Sequence, residues 1–246
     1  MRINHTFEAK CAHFETRIRD MLDFSWVNSL QLQRGAIAFD NAALSTAFPS
    51  FSYTCTGSNL ILIAGYFGNT VGGTITGYTY NSVSMTLIND RTVGAVGTQH
   101  VGLFYLINPS TGSNTLARVG TDASGNHMGI SYSGAKQSSQ PDASATGVSD
   151  VSTTVTATLT TVADNSWAVA YVRGDAGEVV SNNSGVCDTA LGGNTYGWDS
   201  GNALTPAGAK TVSFSAASLQ SWGAASASIS PAGSANFGLL LMGVGT

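Results

Sequence analysis

Apolar residues recur along this chain in two different periods. Near its start, Phe7, Cys11, Phe14, Ile18 and Met21 follow one another at spacings of four, three, four and three, and Leu22 and Trp26 continue the stripe. Glu8, Arg17, Arg19 and Asp20 fall on other faces. That is the period of an amphipathic helix. It predicts one short helix within residues 1–35, followed by a polar linker at 28–35. A helix of about 20 residues is marginal alone in water, so its stripe must pack on its own domain, on a copy of itself or on another protein. It is a candidate assembly helix.

From Ala36 onward the period drops to two. Short segments rich in Val, Ile, Thr, Tyr and Phe alternate with Gly, Asn, Ser and Pro clusters. They predict strands at 51–55, 60–67, 75–80, 84–88, 100–107, 114–119, 127–133, 155–160, 166–172, 211–215, 222–229 and 237–244. Alternation is clearest where Val155, Ala157 and Leu159 interleave with Thr154, Thr156, Thr158 and Thr160, which predicts an apolar face inward and threonines outward. Residues 237–244, Phe-Gly-Leu-Leu-Leu-Met-Gly-Val, are apolar almost throughout. They predict a strand covered on both faces, in its own sheet or on a neighbour's edge.

These strands lack the crossover helices that parallel sheets need, so the expected fold is all-β: an antiparallel, jelly-roll-like β-sandwich with a single two-sheet core, preceded by the helix. The domain division is 1–35 and 36–246. No repeat of fixed period is visible, which weighs against a propeller or solenoid. A Ser-, Ala- and Gly-rich stretch at 133–151, with Pro141, reads as a crossover between sheets or a mild hinge.

Charge separates the same two regions. The first 40 residues hold five basic and five acidic side chains, whereas positions 41–246 hold only 14 charged ones. The net charge of −4 comes with no basic run, so the attraction that dominates nucleic-acid affinity is missing and no nucleic-acid partner is expected. Charges interrupt the N-terminal region, so no secretory signal is expected there. No apolar run approaches the roughly 20 residues that span a bilayer, so no membrane partner is expected either. Cys11, Cys55 and Cys187 have no metal-ligand spacing and read as unpaired thiols, with a Cys55–Cys187 bridge left open.

Candidate chemistry is sparse. Of three glutamates, Glu8 and Glu15 lie in the helical segment and only Glu178 in the β region. Paired carboxylates for glycoside hydrolysis are therefore poorly supplied. No serine-elbow, zinc, phosphate-loop or EF-hand motif occurs. His100 and His127 fall at predicted strands without a neighbouring ligand and read as strand histidines. Arg173-Gly174-Asp175 reads as a turn. No catalytic residue, cofactor or metal is expected. One glycine-rich stretch, 191–202, sets Asn194, Tyr196, Trp198 and Asp199 together. Aromatic faces beside Asn and Asp suit a glycan-contacting loop, whereas a tryptophan that caps the sandwich core is the plainer reading.

Several segments carry a resemblance. Ala36-Ile37-Ala38-Phe39-Asp40-Asn41-Ala42, Thr56-Gly57-Ser58-Asn59, Tyr80-Asn81-Ser82-Val83-Ser84-Met85-Thr86 and Leu103-Phe104-Tyr105-Leu106-Ile107-Asn108-Pro109 are among them. So are Ser131-Tyr132-Ser133-Gly134-Ala135, Gly197-Trp198-Asp199-Ser200 and Thr205-Pro206-Ala207-Gly208. Together they resemble β-sandwich modules of tailed-phage virion proteins, such as fibres and capsid decoration proteins, and of bacterial surface proteins. The resemblance covers Ala36 to Ala232 and brings no catalytic motif. It implies a virion structural protein, assembled in the host cytoplasm, whose partners are capsid or tail proteins. Self-association, with a trimer as the expected state, follows instead from the residues, because the helical stripe and the poorly charged sandwich edges expose surface that a monomer would leave uncovered. The alternative is an adhesive or carbohydrate-binding module, extracellular or at a cell surface, with surface glycans as partner.

Overall fold

The structure, a computed structural model, describes residues 36–69, 75–93, 99–121, 125–174, 179–183, 185, 188–191 and 195–233. The expected helix, with Phe7, Cys11, Phe14, Ile18, Met21, Leu22 and Trp26, and the expected strand at 237–244 lie outside these residues. The compact unit is Gly35–Gly233, and residues 1–34 and 234–246 fall outside it.

The described fold is all-β, and every strand pairing in it is antiparallel. Three sheets replace the single two-sheet core expected from the sequence. The middle sheet has the order β1 (Ala38–Ser45), β9 (His127–Ser133), β3 (Ile61–Asn69), β7 (Gln99–Ile107), β6 (Thr86–Val93). A smaller sheet contains β2 (Ser50–Cys55), β8 (Gly112–Gly120), β4 (Ile75–Tyr80) and β5 (Val83–Ser84). The largest runs β10 (Ala143–Thr161), β15 (Gly208–Ile229), β11 (Trp167–Gly174), β14 (Thr195–Asp199), β13 (Asp188–Leu191), with β12 (Val179–Ser181) also paired to β15.

The middle sheet is buried on both faces, and its sequence shows why. Along β3, Ile61, Ile63 and Phe67 join the core shared with β11 and β15, while Leu62, Ala64 and Tyr66 join the core shared with the smaller sheet. Successive side chains point to opposite faces, so a strand covered twice must be apolar at consecutive positions. β11 repeats the pattern, with Trp167, Val169 and Tyr171 toward the middle sheet and Ala168, Ala170 and Val172 toward a third core. Each fully buried large apolar side chain contributes about 1.5–3 kcal/mol. The fold therefore needs no staple, and Cys55 is a buried free thiol.

The third core exists because the longest strands double back. A straight run of the 22 residues of β15 would reach about 70 Å, more than twice the length of its eight-residue neighbour β11. Instead, residues 143–149 of β10 pair with 222–228 of β15, and residues 154–161 pair with 208–215. Between the two runs β15 has four residues, Ala216 to Leu219, where β10 has only Thr153, and this surplus creases the ribbon. The crease is so tight that a Cβ on Gly147 would sit 2.1 Å from the carbonyl oxygen of Thr156 on the same strand. The folded-back half lays Val155, Ala157, Leu159, Val212 and Phe214 over Ala168, Ala170, Val172, Trp198 and Trp222. Its outer face carries the exposed Thr154, Thr156, Thr158 and Thr160, as the alternation predicts.

Within 133–151 the chain crosses between sheets over a shorter span than the whole stretch. Its second half belongs to β10, and only residues 134–142 connect β9 of the middle sheet to the largest sheet. That connection is held by hydrogen bonds at several points. Ala135 N donates to Asn59 O at 2.9 Å and Lys136 N to Ser230 O at 3.0 Å, and Gln140 exchanges two hydrogen bonds with the Ser230 main chain.

Candidate functional site

The strands give the sandwich two unlike poles. The described chain begins and finishes at one of them: Ala38 pairs with Ser133, and Ala232 N donates to Gly134 O at 2.8 Å. The far pole is where β1, β3, β6, β8, β11 and β13 end and where β2, β4, β7, β9, β12 and β14 begin. Connections 46–49, 70–74, 94–98, 121–126, 175–178 and 192–194 therefore start and finish there, beside the ribbon crease.

Two arginines mark that pole in a charge-poor protein. Arg118, on β8, is buried; its Cζ lies 4.9 Å from the Phe48 ring centroid, and its main-chain N donates to Pro49 O. Arg173, on β11, sets its Cζ 4.3 Å from the Phe67 ring centroid. Between the sheets Tyr171 lies within reach of both charges and of Thr195; burial dominates and holds its phenol protonated. Asn126 Nδ2 donates to Thr195 Oγ1 at 2.8 Å, while its carbonyl accepts from Phe67 N. The turn that brings Asn126 there needs Gly125, whose φ is +102° and whose Cβ would meet Phe67 O at 2.0 Å. Around this floor Phe48, Val119, Val151 and Leu219 are exposed. Stacked guanidiniums with an apolar rim suit recognition of another surface.

The glycan-loop candidates are placed differently from the loop expected. Thr195–Asp199 is a strand, so Tyr196 and Trp198 point to one face and Asp199 to the other. Tyr196 and Trp198 are buried in the third core, and Trp198 Nε1 donates to Asn183 O at 2.9 Å. Asp199 is fully buried against the middle sheet, accepting from Tyr132 Oη at 3.1 Å and from Gly201 N at 2.9 Å. Asn194 lies outside the described residues. The glycine between the aromatics is a packing requirement rather than a loop signal, because a Cβ on Gly197 would sit 2.7 Å from Met128 Sδ. Trp198→Ala is expected to lower stability by about 3 kcal/mol in urea unfolding. A loop-tip tryptophan would change it by less than about 0.5 kcal/mol.

The histidines divide. His127 is fully buried, with Nδ1 3.0 Å from Tyr78 Oη, and burial followed by the Arg118 charge lowers its pKa to about 3. It is a core histidine. His100 is half-exposed and its Nδ1 lies 3.4 Å from Asp90 Oδ1, a pairing the sequence reading missed. It arises because β6 and β7 set Thr92 opposite His100 and Asp90 opposite Gly102, which makes the pair diagonal neighbours. The third group at this carboxylate is the Tyr66 phenol, held protonated by burial and by Asp90. A phenol so held is no activated nucleophile. Cys55 is no better, since burial raises its thiol pKa.

Asp40 sits in a further polar network near the terminal pole. It accepts from Ser131 Oγ at 2.6 Å and from Thr56 N and Oγ1, and Ser131 Oγ lies 3.0 Å from Tyr53 Oη. The network ties β1, β2 and β9 together and spends its carboxylate on structure. Among the described residues, no group of three or more His, Cys, Asp or Glu could hold a metal ion, and no helix is long and apolar enough to cross a membrane. No family model matches the chain, and no curated protein or solved structure is significantly similar to it.

Proposed function

We propose that this protein is a non-catalytic virion structural component, a capsid decoration or tail-fibre subunit, which assembles in the host cytoplasm, self-associates and is displayed on the particle surface. The observation that carries the reading is the division between poles. The described chain begins and finishes beside Ser133 and Gly134, while the strand ends that flank six connections, and two arginines, lie at the opposite end. A protein held through its terminal segments would point that second pole outward. Capsid or tail proteins would take the terminal segments, where the amphipathic stripe and the apolar tail are the candidate assembly elements. A trimer remains the expected state, and a jelly-roll arrangement of the sandwich, expected from the run of short antiparallel strands, is part of the same proposal.

The charge-poor interior of stacked sheets fits a part whose work is mechanical. Its carboxylates Asp40, Asp142 and Asp199 are engaged by main-chain and hydroxyl donors within the fold. The test is mass spectrometry of purified particles, together with labelling by antibodies against the far pole. The protein is expected in fixed stoichiometry, with that pole accessible on intact particles. Its absence from particles, or labelling only after disruption, would overturn the reading.

A further inference from the structure

The largest sheet has an open edge along the folded-back half of β10. Residues 154–161 pair with β15 on one side and, among the described residues, with no strand on the other. Unpaired main-chain groups on such an edge are a template for another strand. Folds discourage that with charges, prolines or bulges, and β1, an edge of the middle sheet, carries both Asp40 and a bulge between Phe39 and Asn41. The half-strand of β10 has none of these devices. Residues 151–162, Val-Ser-Thr-Thr-Val-Thr-Ala-Thr-Leu-Thr-Thr-Val, hold no charge and no proline, and 154–161 pair with 208–215 one for one, without a shift.

Two further residues mark this edge. Val151 and Val162 are each 72% exposed, more than any other large apolar side chain among the described residues, and they stand just outside its two ends. One exposed valine is ordinary. Two at matching positions on either side of an unprotected strand form a symmetric pattern. We infer that this edge binds a second copy of itself: residues 154–160 of two chains pair antiparallel about a two-fold axis through Ala157, joining two sheets into one. The segment is self-complementary in that register. Thr154 lies opposite Thr160 of the copy and Thr156 opposite Thr158 of the copy, which repeats across the contact the hydroxyl pairing that Thr158 and Thr211 make within one chain at 3.1 Å. On the inner face Val155 lies opposite Leu159 of the copy, so the third cores of the two chains meet edge to edge. Val151 comes beside Val162 of the copy at both ends of the contact, which takes the exposed side chains out of water.

A second copy suits this edge better than an unrelated strand. An isologous contact sets residue i against j and j against i, so it needs a segment whose pattern reads alike from both ends. Threonines alternating from 154 to 160, with a valine beyond each end, supply that pattern. No like charges meet between the valines. The first charged residues outside them are Asp150 and Asp164, and Asp164 accepts from Ala207 N at 2.7 Å within its own chain. The contact joins copies in twos and is additional to a trimer. It goes beyond the virion reading and does not rest on it.

Disulfide trapping in the full-length chain tests the inference. In a background of Cys11→Ser and Cys187→Ser, Thr154→Cys is combined with Thr160→Cys, both positions being exposed on the outer face. Within one chain they lie about 20 Å apart along the strand, far beyond the roughly 7 Å between Cα atoms that a disulfide permits. Across the two-fold axis they are opposite each other. Oxidation is expected to give a covalent dimer in the double variant at about tenfold the yield of either single variant, whose cysteine lies about 20 Å from its own counterpart. Peptide mass spectrometry identifies the bond between the two introduced cysteines. Adding Val151→Asp and Val162→Asp, surface changes with little effect on stability, should cut that yield about tenfold by setting like charges together. Val151→Lys with Val162→Asp should restore it. A double variant that cross-links no better than the singles, or equal yields in the two valine variants, would overturn the inference.

Discussion

Trp222→Ala is expected to lower the unfolding free energy by about 4 kcal/mol and to release the folded-back half of the ribbon. Trp222 is fully buried in the third core, and its Nε1 donates to Ser152 O at 2.8 Å, within the crease where β10 turns back. Removing the indole empties the centre of that core, which costs about 3–5 kcal/mol for a buried tryptophan. It also leaves the Ser152 carbonyl without its donor, about 1 kcal/mol more where water cannot replace it. Trp222→Phe should restore most of the packing but not the hydrogen bond. Urea unfolding measures the totals, and hydrogen exchange should show Val155, Ala157, Leu159 and Phe214 losing protection before β3 and β11. A loss below about 1 kcal/mol, or uniform loosening of all sheets, would show that the crease does not depend on this side chain.

Acid should weaken the fold well above the range where its carboxylates titrate. His127 has a folded pKa lowered to about 3 by burial and by Arg118, against about 6.5 in the unfolded chain. Between these values the unfolded state binds the proton and the folded state does not. Stability is therefore fully present above about pH 6.5 and falls as pH drops toward 3, by about 1.4 kcal/mol per unit and about 5 kcal/mol in all. His127→Gln, which carries no titrating ring, should start less stable at pH 7 and lose far less between pH 6.5 and 4.5. Urea midpoints across that interval decide the matter. Parallel slopes for the two proteins would remove His127 as the cause.

Where turn residues bracket a β-branched or aromatic run, local sequence settles the strand. β4 and β9 occupy the expected positions 75–80 and 127–133. The doubled ribbon is a different matter. Three short strands were expected at 155–160, 211–215 and 222–229, because residues 143–151 and 216–221 are largely Ser, Ala, Gly and Thr, with little strand propensity. Small residues are used there for a tertiary reason. Ala224, Ala225 and Ala227 are fully buried between layers that larger side chains would hold apart. β1 escaped notice because an edge strand needs only partial burial, and its Asp40 and Asn41 break the apolar pattern to serve the network with Thr54, Thr56 and Ser131. Asp199 illustrates the same limit, since a carboxylate beside Trp198 reads as a polar loop until the strand separates the two onto opposite faces. The far pole was illegible in principle, as its two arginines are 55 positions apart and meet only through the stacking of β8 and β11 around Tyr171.

The shared exit of the two chain ends sets how the molecule bears load. Tension between an anchor at the terminal pole and a grip on the far pole acts along the strand axes. The hydrogen bonds of an antiparallel ladder lie across those axes, so sliding one strand past another strains the whole row at once. Separating the two ends from each other does the opposite. It peels β1 from β9 starting at the Ala38–Ser133 pair and breaks one rung at a time. The same sandwich is thus stiff when pulled lengthwise and yields at its seam when its ends are parted.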